Sequence, residues 1–282
     1  MHFTNTLYLA AAQNYESARK LDSSSVYKFV GELFKNGDNL DSQKNYPAAL
    51  DYYKKAFLMN PAGSAAEKLA LGLYLWENFN EAVNFYRTMT TIRPDDYFLW
   101  QNLGWMLYEL KDYDGAIAAY TRSLELNPTE IIYECRGNAY KNLGRYDEAI
   151  ADYKKALELR PDYKFALDEL WDAYCKSGKF DDAADFYNKH VTTQVDYSDS
   201  WFRLAWSLNE QKKFPEAIKA MHSFIDCFSP DSSSANGWYW LARVYQNAGD
   251  TKKAVDACKK ALKLDPEHTD AKKLLAQLSG GK

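Results

Sequence analysis

The sequence predicts an all-α fold in which antiparallel helix hairpins stack into a solenoid. Three observations point there. An alanine, followed four residues later by a bulky side chain and then by a loop proline, returns every 33 or 34 residues: Ala82, Tyr86, Pro94; Ala116, Tyr120, Pro128; Ala149, Tyr153, Pro161. Apolar residues recur at spacings of three and four, as in Trp100, Leu103, Gly104 and Leu107, which is one face of an α-helix. Only 13 Gly and 8 Pro interrupt 282 residues, so long regular helices are available.

Within one repeat, a first helix ends at a short polar turn such as Lys111-Asp112. A second helix then carries Ala116, Tyr120 and Ser123 on one face, and Pro128 ends it. Glycine or alanine at the close-contact points lets the two helices approach. The second-helix alanines are Ala49, Ala82, Ala116, Ala149, Ala183, Ala217 and Ala254. They place seven repeats at 30–62, 63–96, 97–129, 130–163, 164–197, 198–234 and 235–268. The last step is 37 residues, and the polar stretch from Ser229 to Ser234 is the expected insertion. Pro47 and Pro215 mark second-helix starts, where a missing N–H is tolerated. Gly144, Gly178 and Gly249 fall in inter-helix turns suited to a left-handed cap. Residues 1–29 are expected to hold an N-terminal capping helix. Residues 267–282 are expected to hold a C-terminal capping helix, with Ala271, Leu274, Leu275 and Leu278 on the last repeat and a loose tail from Ser279. The fifth repeat departs most: Trp171 stands where Gly or Ala is usual, His190 where Ala is usual, and Val195 replaces the loop proline.

Trp100, Leu103, Gly104, Leu107, Ala116, Tyr120 and Pro128 follow the pattern Trp-x-x-Leu-Gly-x-x-Tyr, Ala-x-x-x-Phe, Pro. So do Tyr133, Gly137, Tyr140, Ala149, Tyr153, Ala156 and Pro161, and again Trp238, Leu241, Ala242, Tyr245, Ala254, Ala261 and Pro266. The chain therefore resembles the tetratricopeptide repeat family, with about seven repeats over residues 30–268. The resemblance implies a right-handed superhelix whose first helices line a concave groove. It assigns to that groove Glu67, Tyr74, Gln101, Asn102, Trp105, Tyr108, Glu134, Asn138, Lys141, Asp168, Asp172, Phe202, Trp206 and Arg243. Aromatics among these offer rigid contact area at small entropic cost. The acids, with Asp38, Asp41 and Asp199, outnumber the bases and favour a basic partner segment. Asn138 has both a donor and an acceptor for a peptide backbone. Chaperone-binding members grip a terminal carboxylate with lysine and asparagine, and the matching slots here do not supply that pair.

The expected function is a protein–protein interaction scaffold that binds a peptide or protein segment in this groove, without catalysis. The alternative is a self-associating structural protein that uses the same aromatics in a homo-oligomer. The groove reading expects Trp105→Ala and Trp206→Ala to weaken partner binding while leaving stability nearly intact.

Composition narrows the rest. A net charge of −4 argues against a nucleic-acid partner. The four cysteines, Cys135, Cys175, Cys227 and Cys258, are widely spaced, and with the four histidines they form no zinc spacing. No metal site and no cofactor are expected. Asp168 and Asp172 lie one turn apart but lack a third ligand. The chain holds no Gly-rich phosphate loop, Gly-x-Ser-x-Gly or His-Glu-x-x-His. His222 and Cys227 are five apart, which does not aim them at each other as a nucleophile and base. No apolar run approaches the ~20 residues that span a bilayer. With no basic leader at the N-terminus, the expected location is cytoplasmic.

Overall fold

The computed structural model describes residues 23–59, 79–193, 198–228 and 234–280. Every regular element among them is an α-helix: α1 (Ser23–Ser42), α2 (Tyr46–Met59), α3 (Phe79–Ile92), α4 (Tyr97–Glu109), α5 (Tyr113–Leu126), α6 (Glu130–Asn142), α7 (Tyr146–Leu159), α8 (Lys164–Ser177), α9 (Phe180–Thr193), α10 (Ser198–Glu210), α11 (Phe214–Asp226), α12 (Ala235–Asn247), α13 (Thr251–Leu264) and α14 (Thr269–Gly280). The fold is an all-α helical-repeat solenoid. It divides into two compact units, Met1–Leu170 and Trp171–Lys282. In the first, α1 packs on α2, α4 on α5 and α6 on α7, while α3 packs on α4 and α5 on α6. In the second, α10 pairs with α11 and α12 with α13, joined by α9 on α10, α11 on α12 and α14 on α13.

The turn inside each of six described hairpins is one motif repeated. Six first helices end in a residue with left-handed backbone: Lys44 (φ 59°), Lys111 (φ 61°), Gly144 (φ 73°), Gly178 (φ 69°), Lys212 (φ 60°) and Gly249 (φ 78°). The next amide donates back to the carbonyl five residues earlier, as Asp112 N to Leu107 O and Arg145 N to Tyr140 O, both at 2.9 Å. That bond closes a helix end and launches the second helix in the opposite direction. The expected glycines are there, and lysine does the same task at the other three sites. Second helices then start on side-chain caps: Asp112 accepts from Gly115 N and Asp250 from Lys253 N. Pro215 sits in the first turn of α11.

Between the two helices of a hairpin, small meets large. Ala49, Ala82, Ala116, Ala149, Ala183, Ala217 and Ala254 are all at 0% exposure, so none has room for a larger side chain. Opposite them, first-helix glycines lie flat against second-helix tyrosines. A Cβ at Gly104 would meet the Tyr120 ring at 2.6 Å, and one at Gly137 the Tyr153 ring at 2.6 Å. Ser123 is fully buried, and its hydroxyl donates to Tyr97 O at 2.8 Å, fastening α5 to the start of α4. Arg136 on α6 makes a two-pronged pair with buried Asp152 on α7, both bonds 2.7 Å, and reaches Thr121 of α5 at 3.0 Å.

Some expectations meet a different outcome. α1 begins at Ser23 and runs on past residue 30. Ser279 and Gly280 belong to α14 and not to a loose tail. Nothing terminates the helix before Gly280, since Ser279 is neither proline nor forced into a left-handed turn. Ala271 and Leu274 are buried, and Leu275 and Leu278 pack against the α12–α13 core. His190 is buried against Phe186, stacked at 5.8 Å, with Nδ1 at 3.1 Å from Ser200 Oγ. Trp171 meets the Tyr187 ring edge-on at 5.8 Å, which is how the fifth repeat accommodates a large residue in a small slot. Residues 4–21, the body of the 63–96 repeat up to residue 78, Val195 and the stretch 229–233 lie outside the described residues.

Candidate functional site

In the first unit, the first helices of successive hairpins set their outward residues side by side. On α4, Gln101, Trp105 and Tyr108 are spaced four and three apart and so share a face. On α6, Ile131, Glu134, Cys135 and Asn138 do the same. Between these faces lies a cavity of about 510 Å³. Tyr120 of α5 contributes to it from below. Tyr163, in the turn before α8, and Phe165, in the first turn of α8, complete the wall, with Glu109 at the end of α4.

The wall is aromatic and its apolar edges meet solvent. Trp105 is 42% exposed, Ile131 44% and Phe165 69%. Trp105 Nε1 donates to Glu109 Oε1 at 3.2 Å, which orients the indole. Tyr108 packs edge-on against Tyr113 at 5.4 Å, and its hydroxyl accepts from Asn142 at 2.9 Å. Tyr163 stands edge-on to Phe165 at 5.8 Å and carries the Arg160 guanidinium 4.0 Å from its ring centre. Arg160 is itself paired with Glu130 at 3.3 Å.

Glu134 brings charge into this wall. Burial pushes its carboxyl above the ordinary carboxylate range, and the nearby Glu169 pushes the same way. Hydrogen bonds from Asn138 Nδ2 (2.5 Å) and the Cys135 thiol (3.7 Å) pull in the opposite direction. Burial lifts the Cys135 thiol to about 12, with Glu134 adding, so this sulfur is a protonated, unreactive one. Tyr163 is likewise raised to about 12 by burial, again with Glu134 adding. The Glu134 charge is thus felt at the Cys135 thiol and at the aromatic wall residue Tyr163.

The residues singled out by the groove reading fall into four groups. Gln101, Trp105, Tyr108, Glu134 and Asn138 come together at the cavity. Asn102, Lys141 and Asp168 lie outside its wall. Asn102 is half-buried, Asp168 is exposed, and the Lys141 ammonium is ion-paired with Glu169 across from α6 to α8. In the second unit, Asp172 pairs with Lys176 at 2.8 Å. Phe202, Trp206 and Arg243 belong there to an aromatic cluster. Phe202 contacts Trp206, Phe224 and Trp240 at 5.8, 5.5 and 5.5 Å. Trp206 meets Trp240 at 4.9 Å, and the Arg243 guanidinium lies 5.8 Å from the Trp240 ring. Glu67 and Tyr74 lie outside the described residues.

Two chemical expectations change. Asn138 is already engaged: its amide donates to Glu134 and its oxygen accepts from Tyr153 OH at 2.7 Å, which leaves one N–H. The acidic surplus is also smaller than the sequence suggests, because Asp172 has a lysine partner, Lys176. Ile131, Cys135, Tyr163 and Glu109 were not among the expected groove residues. Ile131 and Cys135 lie seven and three residues before Asn138, on the same helical face. Tyr163 lies in a turn, where helical spacing gives no signal.

Models of the tetratricopeptide repeat family match residues 97–130, 131–163 and 235–268, and a second such model matches 199–226. These spans begin at or within one residue of α4, α6 and α10 and at α12, in register with the hairpins seen. The matched stretches are tetratricopeptide repeats. Among solved structures, this repeat protein is similar to the C-terminal part of a TPR repeat-containing protein from Cytophaga hutchinsonii. The TM-score is 0.62 at 19% identity, over 86% of this chain and 99% of that one. It is also similar to YrrB, described as a TPR protein with an unusual peptide-binding site. There the TM-score is 0.50 at 20% identity, over 67% of this chain and 96% of that one. At such identities the likeness is one of fold. In sequence, 110 residues of the repeat protein are 31% identical to the peroxisomal targeting signal receptor of Candida albicans. A further 29% identity over 94 residues links it to the receptor of the same name from Eremothecium gossypii. The matched stretches cover 38% and 33% of this chain but only 16% of either receptor. No described helix is long and apolar enough to cross a membrane. No group of three or more His, Cys, Asp or Glu among the described residues is arranged to hold a metal ion.

Proposed function

We propose that this chain is a protein-interaction scaffold that receives a peptide or partner segment on the face shared by α4, α6 and the start of α8. The observation that carries the reading is the open, aromatic-walled cavity on that face, with Trp105, Ile131 and Phe165 exposed at its edge. Exposed apolar residues gathered around a concavity mark binding surfaces more often than scattered ones do. The hairpins that hold these residues are fixed by buried alanines and closed turns, so capture costs little ordering of the scaffold. The relatives named as targeting-signal receptors and the neighbour described as having a peptide-binding site support the same class of activity. The sequence and fold likeness leaves the identity of the partner to experiment.

The test is affinity capture from native lysate with wild type, Trp105→Ala and Ile131→Glu, against Lys252→Glu as a surface control on α13. The reading expects partners lost with the two cavity variants and kept with the control. Equal capture by all four proteins would reject it. A band of the chain's own mass that disappears with the cavity variants, together with concentration-dependent sedimentation, would replace it with self-association.

A further inference from the structure

We propose that the cavity between α4 and α6 takes a cationic side chain of the partner segment, a lysine or its methylated form, held by aromatic walls over the Glu134 carboxylate. The inference rests on the reading of this face as a binding surface and names what enters it. Five of the wall residues are aromatic: Trp105, Tyr108, Tyr120, Tyr163 and Phe165. Aromatic faces attract an ammonium through the ring quadrupole, and more strongly once water is excluded. Two carboxylates, Glu109 and Glu134, lie in the wall, and no lysine or arginine does. Of the cations beside the wall, the Lys141 ammonium is paired with Glu169, and the Arg160 guanidinium, over the Tyr163 ring, is paired with Glu130.

An apolar ligand alone does not account for Glu134. A carboxylate placed among tyrosines and a high-pKa thiol is held in an unfavourable setting, and a cation arriving beside it relieves that setting. A carboxylate or phosphate ligand is disfavoured by the same two acids. An aliphatic stem with a charged head matches both parts of the wall: the stem against Ile131 and Phe165 near the edge, the head toward Glu134. The small pocket by Trp206 in the second unit differs, since Arg243 is part of its wall.

The experiment follows the indole Nε1–H signal of Trp105, assigned through its loss in Trp105→Phe, in the full-length chain. The probes are four: blocked pentapeptides Gly-Ala-X-Ala-Gly in which X is lysine, trimethyllysine or norleucine, and free choline. The expected result is that the lysine and trimethyllysine peptides shift the signal and bind about tenfold tighter than the norleucine peptide. Glu134→Gln is expected to abolish that preference without lowering the melting temperature at neutral pH. Norleucine binding as tightly as lysine would overturn the cation assignment while leaving the face as a binding surface. Choline binding as tightly as the peptides would overturn the assignment to a side chain. No shift with any probe would overturn the proposal outright, and capture by Trp105→Ala would then decide the fate of the face independently.

Discussion

At the scale of single residues, the turns hold a backbone conformation that costs any residue but glycine. Lys111 at φ 61° sits in the same turn position as Gly144 at φ 73°. An L-residue in the left-handed region carries roughly 1 kcal/mol of strain that glycine lacks. Lys111→Gly is therefore expected to raise stability slightly, and Gly144→Ala to lower it by about 1 kcal/mol, in urea unfolding of the intact chain. Glu134 makes a second residue-scale prediction. Its pKa in the folded state lies above the unfolded value, so the folded chain holds the proton more tightly. The stability it contributes is complete below the unfolded carboxylate pKa and is lost as pH rises toward the folded one. Glu134→Gln should then melt higher than wild type at pH 7 and no higher at pH 4. A gain that persisted equally at both pH values would show that ionisation is not its cause.

At the scale of the hairpin, the two helices are matched in size at one crossing. Gly104 faces Tyr120 and Gly137 faces Tyr153. Later repeats carry alanine on the first helix in the same register, at Ala205 and Ala242. Their second helices carry the slimmer Met221 and Cys258 where the tyrosines stand, all buried. Gly137→Ala alone should destabilise by about 1–3 kcal/mol, because the new methyl meets the Tyr153 ring. In the background of Tyr153→Met the same change should cost less. A double-mutant cycle reads this as a favourable coupling, and additive effects would reject the size match. These hairpins were legible in the sequence because their determinants are local: alanine spacing, a turn residue and a cap. The cavity was legible only in part. Trp105, Tyr108 and Glu134 follow from helical spacing, but Tyr163 enters from a turn. Likewise, the hydrogen bond from Tyr153 that occupies Asn138 crosses between helices. Such cross-helix pairings depend on rotamers and packing, which periodicity does not encode. Phe202 and Trp206 show the converse limit. A spacing rule marks them as outward-facing, yet the rings of Phe224 and Trp240 on neighbouring helices pack against them.

At the scale of the whole molecule, a solenoid has no single core, so damage stays near its source. Trp206 tests this, because it meets Trp240 at 4.9 Å and Phe202 at 5.8 Å, and so joins α10 to α12. The packing predicts the opposite of the expectation that its removal spares stability: Trp206→Ala should cost about 2–4 kcal/mol, near the usual penalty for losing a large packed aromatic. Trp105 is different, being 42% exposed with its indole bonded to Glu109 one turn away, so Trp105→Ala should change melting little. Amide hydrogen exchange on the intact chain separates the two. With Trp206→Ala, protection should fall in α10 to α13 while α4 to α7 exchange as in wild type, because stability passes only between adjoining helices. A uniform loss across α4 to α13 would mean that the chain unfolds as one cooperative body. In that case the cavity between α4 and α6 would feel every distant substitution, and binding losses in its variants would have to be corrected for folding before they could be read as contacts.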